Sequence, residues 1–164
     1  EGEAASILAL TDGKSIIPLV SSQDHKRQLD GDKGPNTGGM GAYSPAPVVT
    51  PELLAEVQKS VLDNFLRGIQ AEKLDYRGII YAGIMVTKNG PKVLEFNVRF
   101  AIVYHAGTVR KDGKLLNHGG RVLGVTARGR NIEEAVKNAY EAASRISWQG
   151  MQYRSDIAKR AFNR

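Results

Sequence analysis

The sequence predicts an α+β fold in which antiparallel hairpins carry helices on one face. Three observations point there. Asp12-Gly13, a strong hairpin signal, separates two short apolar runs. A helix-spaced apolar stripe follows over residues 53–69. A β-rich pair of runs, 78–86 and 92–100, then flanks Lys88-Asn89-Gly90.

The elements can be justified in order. Residues 4–10 and 15–20 are the arms of the first hairpin. Ser21 to Pro47 holds Gly31, Gly34, Gly38, Gly39 and Gly41 with Pro35, Pro45 and Pro47. This composition predicts a long loop, and long loops in compact domains are commonly functional. Thr50-Pro51-Glu52 predicts a helix start: a capping hydroxyl, proline at the first helical position and acid in the first turn. Leu53, Leu54, Val57, Val61, Leu62, Phe65, Leu66 and Ile69 form its apolar stripe, which needs a sheet to pack on. Gly78–Val86 predicts a buried strand and residues 92–100 its return.

The last third uses different parts. Val103–Val109 and Arg121–Ala127 predict strands, with a turn at Lys111-Asp112-Gly113. Asn131 with Glu134 predicts a capping box for a helix carrying Ile132, Ala135, Val136, Ala139, Tyr140 and Ala143. A boundary near residue 100 divides the chain into domains 1–100 and 101–164, the second a small α/β domain.

Composition narrows the function classes. The chain has 164 residues, 41% hydrophobic and 24% charged, which is globular rather than disordered. No apolar run approaches the roughly 20 residues of a membrane span. Glu1-Gly2-Glu3 is acidic, so a secretory leader is not expected. Without cysteine there is no disulfide, zinc thiolate site or cysteine nucleophile, which fits a reducing cytoplasm. The net charge of +6 is unevenly placed. Residues 1–100 carry 11 Lys and Arg against 12 Asp and Glu, and residues 101–164 carry 12 against 5. A basic segment suits phosphates, nucleic acid or an acidic partner, or is a solvated face whose acidic complement lies elsewhere. No aromatic residues are interleaved as a stacking platform would need.

Two stretches carry chemistry. In Val93–Phe100, period-two alternation puts Leu94, Phe96, Val98 and Phe100 on one face and Glu95, Asn97 and Arg99 on the other. A carboxylate and an amide oxygen are hard ligands suited to Mg²⁺, and a guanidinium beside them suits phosphate. The alternative is an ordinary half-exposed strand. In the loop, Gln23-Asp24-His25-Lys26-Arg27 precedes a glycine-rich run from Gly34 to Gly41. Its backbone N–H groups could nest an anion, and Lys26 and Arg27 supply positive charge. The alternative is a mobile surface loop. His25 reads more readily as a hydrogen-bonding residue than as a general base. Asn117–Leu123 reads as a tight turn, with a lid or substrate contact as the alternative. Tyr153-Arg154-Ser155-Asp156 reads as a polar helix start.

Together the segments SQDHKR (22–27), GPNTGGMGAYSPAP (34–47), YAGIM (81–85), KVLEFNVRF (92–100), HAGT (105–108) and GGRVL (119–123) resemble, in order, the glycinamide ribonucleotide synthetase family. These phosphoribosylamine–glycine ligases are ATP-grasp enzymes of de novo purine synthesis. The resemblance implies that residues 1–100 are the C-terminal half of an ATP-grasp domain. It implies a reaction in which ATP phosphorylates glycine and the amine of 5-phosphoribosylamine attacks the glycyl phosphate, giving glycinamide ribonucleotide, ADP and phosphate. Carried over by position, Glu95 and Asn97 are implied Mg²⁺ or Mn²⁺ ligands. Lys26 and Arg99 are implied to act on the transferred phosphoryl group. Asp24, Arg27, Asn36, Gly38, Gly39 and Met40 are implied substrate contacts, with Arg99. Glu3 and Lys26 are implied nucleotide contacts, although the second glutamate of the family's G-E-E-x-S run is Ala4 here. The implied partners are glycine, 5-phosphoribosylamine and ATP, with no nucleic acid and no membrane, in a cytoplasmic protein that is monomeric or fused to other purine enzymes.

Two departures stand out. The family continues Arg-Phe with G-D-P-E and tens of further residues before H-A-G-T. Here Phe100 runs directly into Ala101. The chain also starts at the family's midpoint. An interrupted connection at Phe100–Ala101 is therefore expected, and the fragment alone is expected to be inactive. Another ATP-grasp carboxylate–amine ligase, or a basic nucleotide- or nucleic-acid-binding fragment without catalysis, are the alternatives. The GPNTGGMG loop argues against the first.

Overall fold

The computed structural model describes residues 2–97 and 107–162. By contacts these fall into two units, residues 1–100 with 152–164, and residues 101–151.

In the first unit, β1 (Glu3–Thr11), β2 (Ile16–Pro18), β5 (Gly78–Thr87) and β6 (Gly90–Asn97) form an antiparallel sheet in the order β2-β1-β5-β6. One face is apolar: Ala5, Ile7 and Ala9 of β1 and Ile80, Ala82 and Ile84 of β5 are buried. It is covered by α1 (Pro51–Val57) and α2 (Asp63–Ala71), joined by a π-helical turn over Gln58–Leu62. The cap is as expected, since the Thr50 hydroxyl accepts from Leu53 N–H at 3.2 Å. Val57, Val61 and Leu62 enter the core with Ile7, Ile80 and Ile84. The π turn adds a residue to the ladder between Val57 and Leu62, yet both stay fully buried. Phe65 of α2 meets Phe96 of β6 at a ring separation of 6.0 Å.

The expected long loop over 21–47 is instead a second sheet: β3 (Gln23–Leu29) pairs antiparallel with β4 (Lys33–Tyr43). The apolar alternation that signals a strand is missing because the side chains β3 buries, Gln23 and His25, are polar. The register also slips twice, between His25 and Arg27 and between Arg27 and Leu29. The glycine-rich run of β4 supplies the extra residues of these bulges.

The segment 153–156 is not a helix start. It is irregular with a bend at Ser155, a short helix beginning only at Lys159, and Arg154 is 2% exposed. The expected second domain ran to residue 164, but residues 152–164 belong to the first unit. Arg154 bonds there to the Arg27 carbonyl and the Asp32 carboxylate.

The second unit holds the hairpin β7 (Thr108–Lys111) and β8 (Lys114–Asn117), turning at Asp112-Gly113, and α3 (Ile132–Ser144). Asn131 caps α3 by accepting from Glu134 N–H at 2.8 Å. The return bond of the box goes from Arg130 N–H to Glu134 rather than from Asn131 N–H. Residues 121–127, expected as a strand, form no strand. β-favouring side chains do not make a strand without a neighbouring edge to pair with. Of the strand expected over 103–109, residues 103–106 lie outside the described residues, as does the Phe100–Ala101 junction. Among the described residues no helix is long and apolar enough to cross a membrane.

Candidate active site

The sheet face opposite α1 and α2 carries a polar patch among apolar side chains. Directly paired residues share a face, so Ser6, Gly83 and Glu95 form one row across three strands and Leu8, Tyr81 and Asn97 the next. Glu95 and Asn97 thus share a face, as their spacing predicts. The bulge at Leu94 comes just before them: Gly83 pairs with Glu95 while Ile84 pairs with Val93. Gly83 leaves room for the carboxylate, because a Cβ there would stand 3.0 Å from Glu95 Cγ. Tyr81 and Ser6 are joined hydroxyl to hydroxyl at 2.8 Å.

Lys26 of β3 reaches this face. Its Nζ donates to Glu95 Oε1 at 2.7 Å, with both side chains about two-fifths exposed. That bond holds the ammonium pKa above its ordinary value. Partial desolvation opposes the rise, while Tyr81, Glu95 and Asp24 add to it. Asp24 lies against the β4 bulge, since a Cβ on Gly39 would stand 3.0 Å from Asp24 Oδ1. Gly39 has φ +118°, a conformation that favours glycine. Its N–H donates to Thr37 Oγ1, which in turn donates to the Lys26 carbonyl at 2.9 Å. Two elements that sequence reasoning treated separately, the glycine-rich segment and the carboxylate strand, therefore meet at Lys26 and Glu95.

The other expected residues are distributed as follows. Arg27 and Asn36 are direct partners in the β3–β4 ladder, and Arg27 donates to the Gly34 carbonyl at 2.7 Å. Gly38, Gly39 and Met40 lie in the bulge opposite Lys26. Glu3 stands apart: three positions along β1 from Ser6, it is roughly 10 Å along the sheet and, by strand alternation, on the opposite face. It lines an open cleft of about 300 Å³ with Gly2, Val48, Val86 and Lys88, and accepts from Gln23 at 3.3 Å. Arg99 lies outside the described residues.

Among the described residues there is no group of three His, Cys, Asp or Glu able to hold a metal alone. The donor chemistry still fits Mg²⁺, which is commonly bound through one or two protein oxygens with substrate phosphates and water completing the shell. Glu95 and Asn97 supply such oxygens.

His25, next to Lys26, does not enter the site. It is 1% exposed, and its Nε2 accepts from Ala158 N–H at 3.1 Å. This is the hydrogen-bonding role expected of it. Burial, then Arg154 and Arg160, push its pKa below 6.5, against an opposing pull from Asp32 and Asp156. The residues that sequence reasoning missed are the charged cluster beside it: Arg154, Asp156 and Asp32. Their only signal was the unassigned Arg154-Ser155-Asp156 run.

With this geometry in hand, comparison with known proteins gives a consistent result. A family model described as phosphoribosylglycinamide synthetase, ATP-grasp (A) domain, matches residues 1–103, and one for the C domain of that synthetase matches residues 85–160. A phosphoribosylamine–glycine ligase of Vibrio vulnificus is 37% identical, covering 100% of this chain and 55% of that protein. The trifunctional purine biosynthetic protein adenosine-3 of Homo sapiens is 37% identical over 98% of the chain and 23% of its own length. The crystal structure of a phosphoribosylamine–glycine ligase from Thermotoga maritima superposes with a TM-score of 0.85 at 28% identity, covering 96% of this chain and 56% of that one. The chain spans about half the length of these bacterial relatives. The Vibrio alignment runs over 235 residues against the 164 present here, leaving about 71 positions without a counterpart.

Proposed function

Because the chain belongs to the phosphoribosylglycinamide synthetase family, we propose that it is the part of an ATP-dependent phosphoribosylamine–glycine ligase that carries the phosphoryl-transfer face. The observation that carries this reading is the Lys26–Glu95 contact, which joins the glycine-rich hairpin to the carboxylate strand at 2.7 Å.

In the proposed reaction a glycine carboxylate oxygen attacks the γ-phosphorus of ATP and the bond to ADP breaks. The amine of 5-phosphoribosylamine then attacks the acyl carbon, inorganic phosphate leaves and the amine gives up a proton. Phosphoryl transfer depends on positioning and charge neutralisation, which is what these residues offer. Lys26, released from Glu95, is the mobile cation of the site and meets the transferred phosphoryl oxygens. Glu95 and Asn97 would hold Mg²⁺ or Mn²⁺, and the ion would neutralise phosphate charge. Arg99, two residues beyond Asn97, is assigned the second cationic contact. Asp24 orients Lys26 from the hairpin side. Arg27, Asn36 and the bulge Gly38, Gly39 and Met40 take the acceptor substrate, and Glu3 sits toward the nucleotide. The substrates are small molecules in a cytoplasmic setting. The trifunctional name of the human relative supports either a separate ligase or one fused to other purine-pathway activities.

The test is ADP release that requires both glycine and 5-phosphoribosylamine, measured in the full-length ligase for the wild type and Glu95→Gln at limiting Mg²⁺. The variant is expected to lose more than the roughly 10–100-fold that follows loss of a metal's outer partner. Wild-type turnover in Glu95→Gln would refute the metal assignment. ADP release indifferent to either substrate would refute the ligase.

A further inference from the structure

The ladder of the strand that carries Lys26 is interrupted at that residue. Cα partners run His25 with Gly41, then Arg27 with Asn36. Residues 37–40 lie opposite Lys26 as a bulge, so the ladder passes it without a partner. The segment after residue 152 grips both of its neighbours in sequence. On one side, His25 Nε2 accepts from Ala158 N–H at 3.1 Å. On the other, the Arg27 carbonyl accepts from Arg154 Nη1 at 3.1 Å.

Arg154 is the centre of this grip. Its guanidinium also donates to Asp32 Oδ1 at 2.9 Å and to both oxygens of Asp156, at 2.7 and 2.8 Å. Asp156 accepts from Gly31 N–H at 2.9 Å, and Ser155 N–H donates to Asp30 at 2.9 Å. Ile157 fills the space over Gly41, with Cδ1 3.0 Å from where a Cβ would stand. A buried ion pair gains little stability over a well-packed apolar contact, but a planar five-donor fork fixes directions that an apolar contact cannot.

We propose that Arg154 is a positioning residue for Lys26: by binding the Arg27 carbonyl and the Asp32 and Asp156 carboxylates at once, it fixes the bulged strand so that the Lys26 ammonium is presented to the Glu95 face. What Lys26 does there rests on the ligase reading. The positioning does not.

The experiment has two readouts on Arg154→Lys, Arg154→Met and Asp156→Asn, with Ile69→Val in the remote helix α2 as a control for general destabilisation. Amide hydrogen exchange is followed over Gln23–Leu29 and Lys33–Tyr43 against β1 and β5. Each grip variant is expected to exchange about tenfold faster in the hairpin with β1 and β5 unchanged, while Ile69→Val changes no segment selectively. Steady-state kinetics are expected to show kcat down by about 10–100-fold, with the KM for ATP altered much less. Arg154→Lys keeps the charge and covers the case in which Arg154→Met does not fold. Hairpin exchange equal to wild type, or faster exchange spread evenly over all strands, would overturn the proposal. So would selective loosening with kcat intact. A full-length wild-type protein that makes no ligase product would overturn the ligase reading, whereas the exchange result would still decide the positioning.

Discussion

Gly39→Ala should destabilise the protein by about 1–2 kcal/mol, and the structure shows which term dominates. A new Cβ would stand 3.0 Å from Asp24 Oδ1 and 3.2 Å from Oδ2. That crowding is modest, because the carboxylate is the end of a side chain and can shift by a few tenths of an ångström. The backbone cannot shift so easily. A non-glycine residue held at φ +118° costs of order 1–3 kcal/mol. The smaller entropy of the unfolded alanine chain returns roughly 0.4–1 kcal/mol. At about 2–4 °C per kcal/mol for a chain of this length, the melting temperature should fall by about 2–8 °C. Gly68→Ala is the matched comparison. Gly68 lies within helix α2 and a Cβ there meets nothing within 4 Å. The same chemical change should stabilise by about 0.8–1 kcal/mol and raise the melting temperature by about 2–4 °C. Thermal unfolding followed by calorimetry measures both. Shifts of the same sign, or an unchanged Gly39→Ala, would refute the reasoning.

Three further outcomes are expected. Acidification should loosen the Arg154 cluster. The His25 pKa lies below 6.5, and that of Asp156 is held below 3.8 by its Arg154 hydrogen bonds, with Gly31 N–H adding to them against burial. Asp32 is lowered too, as bonds from Arg160 and Arg154 outweigh its desolvation. In each case the unfolded chain takes up the proton more readily, so stability is full above about pH 6.5 and falls below it at up to about 1.4 kcal/mol per pH unit per proton; a urea midpoint that rises from pH 7 to pH 5 would contradict this. Thr50→Ala and Asn131→Ala should each cost about 1 kcal/mol through a lost cap, read as a fall in unfolding midpoint, and an unchanged midpoint in either would deny that cap its role. Glu95→Ala should leave the unfolding midpoint within about 1 kcal/mol of wild type, because its pair with Lys26 is solvent-accessible; a larger loss would make the pair structural.

What could be read in the sequence was local. The Thr50-Pro51-Glu52 cap, the Asn131 cap and the Asp12-Gly13 turn involve groups within four residues of each other, and the structure contains all three. Glu95 and Asn97 share a face because strand periodicity is fixed by the backbone. Strand β3 was hidden because Gln23 and His25 are buried through hydrogen bonds, which hydropathy cannot register. Arg154 was hidden for a different reason. Its partners Arg27 and Asp32 lie 127 and 122 positions away, and no local pattern encodes such a pairing. The run 121–127 erred in the other direction: its β preference is real, but a strand also needs an edge to join.

The membership of residues 152–164 in the first unit sets a condition on the order in which the protein is made. Synthesis runs from the N-terminal side, so β1 to β6 are made before the residues that grip β3 exist. At about 5–20 residues per second, even the roughly fifty residues of this chain between Phe100 and Arg154 take at least a few seconds to synthesise. Throughout that interval the bulged hairpin must persist without Arg154, with Asp30, Asp32 and the imidazole of His25 open to water. The hairpin is therefore completed by a later-arriving piece of chain, and a ribosome that stalls before Arg154 would release a sheet with its core built and Lys26 still unanchored.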